Sequence, residues 1–275
     1  MAYSNIQERR MPFVLRYLGD IFTFRHLCWN LVGSDMRARF RRSHLGILWA
    51  VIQPLGFALI VASVWGSVFK VTDYWEFALY LFSGMVLWEY FSNVVIVSQD
   101  ALINAEGYLK QTRVPFFIFQ LRVPLTGFVT MSCGLVGLVI VMAVLQRFPP
   151  LGIHYAYVAP FFALFLIFSI PIAMIMSVIG TKFRDAKHIA QLAMQGLFFL
   201  SPVMLSRDIL AQPELWMLKY VNPMVPMYEL FRGPLMYGEI WQDEPVIIVG
   251  IWTASLWVIA LTLQANAGRR LVFAV

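Results

Sequence analysis

The chain has 275 residues, of which 60% are apolar, 16% aromatic and only 13% charged. Soluble domains carry about a quarter of their residues as charged side chains, so this composition excludes an ordinary soluble domain and predicts a membrane protein. The net charge of +6 first reports orientation in a membrane protein, and we therefore expect no nucleic-acid partner.

Residues 1–44 are predicted to form a cytoplasmic N-terminus with an interface helix. Between Ile21 and Arg42 the apolar side chains recur at helical spacing ahead of a basic end, which is typical of an amphipathic helix lying in the membrane interface. These apolar positions are Phe24, Leu27, Cys28 and Leu31. A solvated basic flank that only orients the next helix is the alternative. No signal peptide is predicted, because Arg9 and Arg10 precede neither an apolar core nor a cleavage site.

A basic cluster then meets an apolar run that continues to Phe69 without a charged side chain. The cluster consists of Arg37, Arg39, Arg41 and Arg42. Arginine is costly at the centre of a bilayer but favourable beside anionic headgroups. This border therefore predicts the cytoplasmic end of a membrane-spanning helix, and residues 45–275 are predicted to form the transmembrane domain.

Six apolar segments are predicted to span the membrane, and the fifth is short. They cover residues 45–69, 77–98, 116–145, 156–180, 188–205 and 245–266. Each approaches the length of about 20 residues that a helix needs to cross the hydrocarbon core. With the N-terminus inside, sixteen basic residues fall on the cytoplasmic side and five outside. The positive-inside rule then predicts that both termini are cytoplasmic.

Two sets of residues inside the predicted spans need separate explanations. The small side chains Gly127, Thr130, Gly134 and Gly137 share one face of the third segment, which favours close helix packing. Glu89, with Asn93 one helical turn later, is ionisable and lies well inside the second segment. Such a group is a candidate for function, although hydrogen bonding within the helix bundle is the alternative.

Motifs for catalysis are missing from the sequence. There is no G-x-x-x-x-G-K-[ST] phosphate cradle and no H-E-x-x-H, and the four histidines are scattered over termini and loops. We therefore expect no enzyme activity, no metal and no cofactor bound by this chain. The chain is therefore predicted not to hydrolyse ATP by the Walker A route on its own.

The stretch from Asp35 to Leu55 resembles the start of the membrane subunit of ABC-2 type polysaccharide exporters. The matching residues are Asp35, Arg37, Arg39, Phe40, Arg41, Arg42, Ser43, Leu45, Gly46, Trp49, Gln53, Pro54 and Leu55. The resemblance extends over nearly the whole chain and is strongest to the permeases that export lipid-linked O-antigen. Capsule and teichoic acid exporters are near relatives.

This resemblance implies an all-α membrane protein of type V exporter architecture. It combines six transmembrane helices with an N-terminal amphipathic interface helix and a re-entrant hairpin between helices 5 and 6. A coupling helix at about 100–113 would dock on an ATPase through Asn104, Glu106, Tyr108, Leu109, Lys110 and Arg113. The hairpin at about 206–244 would form a periplasmic gate with Asn222, Pro223, Tyr228, Glu229 and Arg232. Glu229 and Arg232, three residues apart, are expected to be able to pair on one helix face.

The implied function is export of a polyprenyl-diphosphate-linked polysaccharide across the bacterial inner membrane. The permease would be a homodimer with two copies of a cytosolic ABC ATPase, which would bind ATP and Mg. Candidate channel residues are Trp49, Gln53, Phe57, Trp88, Glu89, Phe198 and Phe199. The four arginines would hold the diphosphate at headgroup level, or would only orient the first span. An ABC-2 exporter of small amphiphiles and a membrane-embedded glycan transferase are the alternatives.

Overall fold

The computed structural model describes residues 19, 22–68, 71–112, 114–205, 207, 212 and 215–267, and within these ranges the chain forms helices and turns without a strand. The all-α prediction is therefore confirmed for the described residues. The helices are α1 Arg25–Phe40, α2 Trp49–Val68, α3 Tyr74–Val97, α4 Glu106–Gln111, α5 Phe117–Val144, α6 Val158–Lys182, α7 Ala186–Phe199, α8 Trp216–Val221, α9 Met224–Arg232 and α10 Asp243–Ala267.

Within the described residues, five helical stretches are long and apolar enough to cross a membrane. They cover Gly46–Val68, Tyr74–Asp100, Phe117–Val144, Ile153–Lys182 and Asp243–Asn266, and they correspond to five of the six predicted segments. The segment predicted at 188–205 is not confirmed as a span. Its helix, α7, has 14 residues and so a length of about 21 Å, against a hydrocarbon thickness of about 30 Å.

The core is centred on α3, which buries side chains along most of its length between α2, α5 and α6. The small face of α5 is what allows this packing. A Cβ atom at Gly134 would lie 3.1 Å from the Ala50 carbonyl oxygen of α2, and one at Gly137 would lie 2.3 Å from Val51 Cγ1. The prediction that these glycines serve helix packing is confirmed.

Helix α1 packs on the N-terminal end of α5, close to α6. Its apolar residues Cys28 and Leu31 are buried in one cluster with Phe117 and Leu121 of α5 and Met174 of α6. The opposite side of the helix is open, since Trp29 is 59% exposed. At Cys28 and Leu31, the apolar face predicted from the spacing of residues 24–31 therefore contacts other helices of this chain.

Buried polar bonds join the long helices. Gln264 of α10 donates a hydrogen bond from Nε2 to Gln120 Oε1 of α5 at 3.0 Å, and Gln120 Nε2 donates to Ser177 Oγ of α6 at 2.7 Å. In a lipid environment such groups have no water to bind, so partners on neighbouring helices stabilise them. Three helices that are distant in sequence are fixed in register by this network.

Candidate functional site

The arginine cluster is divided between two faces of α1. Arg37 and Arg41 line an open groove of about 710 Å³ together with Phe40 and Ile47. Arg39 lies on the other face and lines two cavities against α3 and α5. One α-helical residue turns the chain by about 100°, so positions 37 and 41 share a face and position 39 points away from it.

The first cavity on the inner face brings Arg39 together with Glu89. It is also lined by Asn93 and Thr130 and is large enough for about one water molecule. Glu89 is half-buried here. The ionisable residue predicted inside the second span thus faces one of the four arginines, which the sequence alone did not connect to it.

The second cavity, of about 320 Å³, contains an ion pair between α1 and α5. Asp35 Oδ2 lies 3.1 Å from Arg122 Nε, and the Arg122 side chain is only 14% exposed. Burial raises the pKa of the Asp35 carboxyl, and the neighbouring Arg122 charge opposes that rise. Arg122 lies in the second turn of α5, within the segment predicted at 116–145.

Four of the predicted channel aromatics gather between α2, α3 and α7. The ring of Phe198 lies 6.2 Å from Phe57, 5.7 Å from Trp88 and 5.4 Å from Phe199, measured between centroids. Within this group Trp88 is buried, whereas Phe57 and Phe199 are exposed. Trp49 is separate from it, since its Nε1 donates to Ser43 Oγ at 3.0 Å, and Gln53 is exposed on α2.

The predicted coupling segment is a helix only in part. Two short 3₁₀ turns over Ser98–Asp100 and Ile103–Ala105 precede α4, so the continuous helix is shorter than the predicted 100–113. Leu102 and Ala105 are fully buried and Leu109 is half-buried, which anchors the segment to α5.

The outer face of this segment is polar and open. Asn104, Tyr108 and Lys110 are exposed, and Lys110 pairs with Glu106 one turn earlier. At Gly107 a Cβ atom would meet nothing within 4 Å. Arg113, the last predicted coupling residue, lies outside the described residues.

Two contacts brace the coupling segment against α6 and α7. Asp100 pairs with Lys187 in the first turn of α7. A Cβ atom at Gly180 of α6 would lie 2.2 Å from the carbonyl oxygen of Gln99, so the two backbones meet at a distance that only glycine permits.

Within the predicted hairpin region 206–244, of which 206, 208–211 and 213–214 lie outside the described residues, the chain forms α8 and α9, separated at Asn222–Pro223 as expected. Asn222 Nδ2 donates to the Leu200 carbonyl at 3.1 Å and to Ser201 Oγ at 2.9 Å, and Asn222 Oδ1 accepts from the Met224 amide. The turn between the hairpin helices is thereby attached to the residues that follow α7.

Arg232 is buried and holds α9 on α3. Its Nε donates to Ser83 Oγ at 2.9 Å, Nη1 to the Pro202 carbonyl at 2.5 Å and Nη2 to the Tyr80 carbonyl at 2.7 Å. Tyr228 donates to the Gly84 carbonyl at 2.9 Å on the same side. The spacing would allow Arg232 to pair with Glu229, but the guanidinium of Arg232 points into the core and forms no ion pair with Glu229 among the described residues.

No cluster of three or more His, Cys, Asp or Glu side chains that would suit a metal ion occurs among the described residues. The predicted site residues that the structure describes form helix-to-helix contacts, an exposed polar surface on the predicted coupling segment, and an aromatic group. The contacts of Arg122, Lys187 and Arg232 were not predicted, because their partners lie between 30 and 152 residues away in sequence.

Comparisons with known proteins agree with this arrangement. The family described as ABC-2 type transporter matches residues 26–236. An O-antigen export system permease protein RfbA of Klebsiella pneumoniae is 24% identical over 255 residues, which cover 92% of this chain and 94% of the relative. A protein of the same description from Myxococcus xanthus is 22% identical over 88% of this chain and 95% of its own length. The Escherichia coli polysialic acid transport protein KpsM is 24% identical over 83% and 88%.

Proposed function

Because the chain belongs to the ABC-2 type transporter family, we propose that it is the permease subunit of an ATP-driven exporter of lipid-linked polysaccharide in the bacterial inner membrane. The observation that carries the proposal is the extent of the similarity. Relatives named for O-antigen export align over 84–92% of this chain, and the family match over residues 26–236 includes α4, α8, α9 and nearly all of α1.

The proposed substrate is an O-antigen type glycan on a polyprenyl diphosphate. The similarity to a polysialic acid transport protein makes a capsule exporter the second candidate, and a teichoic acid exporter the third. Arg37 and Arg41, in an open groove at one end of the first span, support admission of a negatively charged headgroup from the cytoplasmic side.

We further propose a homodimer with six spans per chain and both termini in the cytoplasm. The exposed face of α2 and the group Phe57, Phe198 and Phe199 offer aromatic rings for sugar contacts or for the second copy. In this arrangement α7 and residues 200–205 form the fifth span in chain order, α1 lies in the membrane interface, and α8 and α9 form a re-entrant gate at the periplasmic exit.

ATP and Mg are assigned to a separate cytosolic ABC ATPase, two copies per dimer. The open surface around Asn104, Gly107 and Tyr108 supports docking there. Anchoring by Leu102 and Ala105, together with the Asp100–Lys187 pair, would pass a displacement of α4 to α6 and α7.

The docking surface can be tested without disturbing the fold. Gly107→Trp adds a large side chain where no atom of this chain lies within 4 Å, so the variant should insert normally but fail to copurify with the ATPase and fail to export. Gly107→Ala is the matched control and should behave as wild type. Normal copurification and export by Gly107→Trp would remove this surface from the mechanism.

The different-class alternative, a glycan transferase, makes the opposite prediction. A transferase would transfer sugar when purified alone in lipid, without the ATPase. Activity of that kind in the isolated chain would contradict the transporter proposal.

A further inference from the structure

The cavity between α1, α3, the coupling segment and α5 has features that the proposed transport path does not use. Its volume of about 320 Å³ falls within the range of small-ligand sites, about 300–1,000 Å³. Its polar lining consists of Asp35, Arg39, Asn93, Asn104, Arg122 and Thr126. Two guanidinium groups from two different helices thus face one space beside a carboxylate.

The charge of Arg122 is balanced by Asp35, but its hydrogen-bond donors are poorly satisfied. Its Nε is buried and makes no aligned hydrogen bond, even though Asp35 Oδ2 lies 3.1 Å away. Burial of the Asp35 carboxyl also disfavours its charged form and raises its pKa. A buried guanidinium with an unsatisfied donor is costly, so a better acceptor than Asp35 would be favoured at this position.

We propose that Arg39 and Arg122 form a site for a phosphate group carried on a lipid, and that Asp35 occupies this site as an internal competitor. Phosphate oxygens suit the planar fork of arginine. Asn104 and Thr126 add uncharged polar groups to the lining of the cavity.

Phosphate binding would bridge α1 and α5 and release Asp35 from Arg122. A site for a phosphate carried on a lipid would accept either the diphosphate of a polyprenyl carrier or the phosphate of a membrane phospholipid. For the polyprenyl carrier the inference rests on the proposed function, whereas for a phospholipid it stands without it.

The test is equilibrium binding to the full chain in dodecyl maltoside, a detergent that carries no phosphate, and binding is measured by calorimetry. The probes are farnesyl diphosphate, phosphatidylglycerol and inorganic pyrophosphate. Arg122→Gln should weaken binding of the lipid probe about tenfold, and Asp35→Asn should tighten it about threefold because the competitor loses its charge. Arg147→Gln, which changes an ion pair with Asp73 outside the cavity, is the control and should bind as wild type.

The opposite signs for positions 35 and 122 separate a binding site from a structural ion pair. If both variants weaken binding equally, or if no probe binds, the proposal is overturned. Arg39→Gln provides a variant without an ion pair to lose among the described residues, and it should also weaken binding if the other two fail to fold. Binding of farnesyl diphosphate indicates the carrier and binding of phosphatidylglycerol alone indicates a membrane lipid, whereas pyrophosphate binding as tight as either would overturn the requirement for a lipid.

This measurement is independent of the ATPase. If the wild-type chain does not copurify with an ABC ATPase, the proposed transporter is contradicted, but phospholipid binding is unaffected. Failure of all phosphate probes would overturn the cavity proposal and leave the transport proposal standing.

Discussion

Replacing Arg232 with lysine tests whether the guanidinium, and not only its charge, holds the hairpin on α3. Arg232 is 3% exposed and its three nitrogens bind three separate acceptors, Ser83 Oγ and the carbonyls of Pro202 and Tyr80. The guanidinium carbon also lies 3.6 Å from the centre of the Tyr80 ring. A lysine ammonium is a single point on a flexible stem and cannot reach all three acceptors in the same fork geometry.

The expected loss follows from the acceptors left without a donor. If lysine retains one bond, two charge-assisted hydrogen bonds disappear, each contributing about 1.5–3 kcal/mol. We therefore expect Arg232→Lys to lower the free energy of unfolding by about 3–6 kcal/mol. For a chain of this size that corresponds to a fall in the unfolding midpoint of at least about 6 °C.

The measurement is thermal unfolding of the purified chain in detergent, followed by tryptophan fluorescence. Arg207→Lys is the matched control, because Arg207 is 51% exposed and pairs with Glu239 at 2.8 Å. An exposed pair contributes at most about 1 kcal/mol, so the control should shift little. If Arg232→Lys unfolds at the same temperature as the control, the hydrogen bonds of Arg232 do not stabilise the hairpin and the reasoning is wrong.

Two further predictions concern packing and pH. Gly180→Ala would place a Cβ atom 2.2 Å from the Gln99 carbonyl oxygen, so the variant should lose its monodisperse peak in size-exclusion chromatography. Gly250→Ala is the control and should keep that peak, because a Cβ atom at Gly250 would meet nothing within 4 Å. Equal elution profiles would contradict the close approach of Gly180 to Gln99. Asp73 accepts from the Glu76 and Trp75 amides at the start of α3, and these bonds, with its Arg147 partner, lower its pKa below 3.8. The stabilisation by the Asp73 carboxylate is therefore complete above about pH 4 and is lost as the pH falls through the lowered pKa. Between pH 5 and pH 3 the unfolding temperature of wild type should thus fall further than that of Asp73→Asn. Equal falls in the two proteins would refute this prediction.

The long helices were predictable because their signal is local and continuous. Each of five apolar runs corresponds to one helix, with ends within a few residues of the prediction. The run at 188–205 was misleading because apolar composition continues through Ser201 and Pro202. Proline disfavours the helical conformation in the residue before it, and α7 ends at Phe199.

The candidate site was predicted less well because its contacts are not local. The spacing of Glu229 and Arg232 predicts a pair on one face, but acceptors on α3 and after α7 draw Arg232 into the core. Similarly, the basic cluster reads as one group in the sequence, whereas helix geometry sends Arg39 to the opposite side from Arg37 and Arg41. Only the positions of neighbouring helices decide these outcomes.

The contacts of the hairpin also bear on the order in which the chain assembles. Every acceptor of Arg232 and Asn222 described above precedes these residues in sequence, at positions 80, 83 and 200–202. Synthesis proceeds from the N-terminus, so the hairpin leaves the ribosome after its docking surface has been made. For Gln120 the order is reversed, because the donor to its amide oxygen, Gln264, is synthesised later and lies near the end of α10. A nascent chain that stops before Asp243 therefore contains every acceptor of Asn222 and Arg232, yet it still lacks Gln264, which donates to Gln120 of α5.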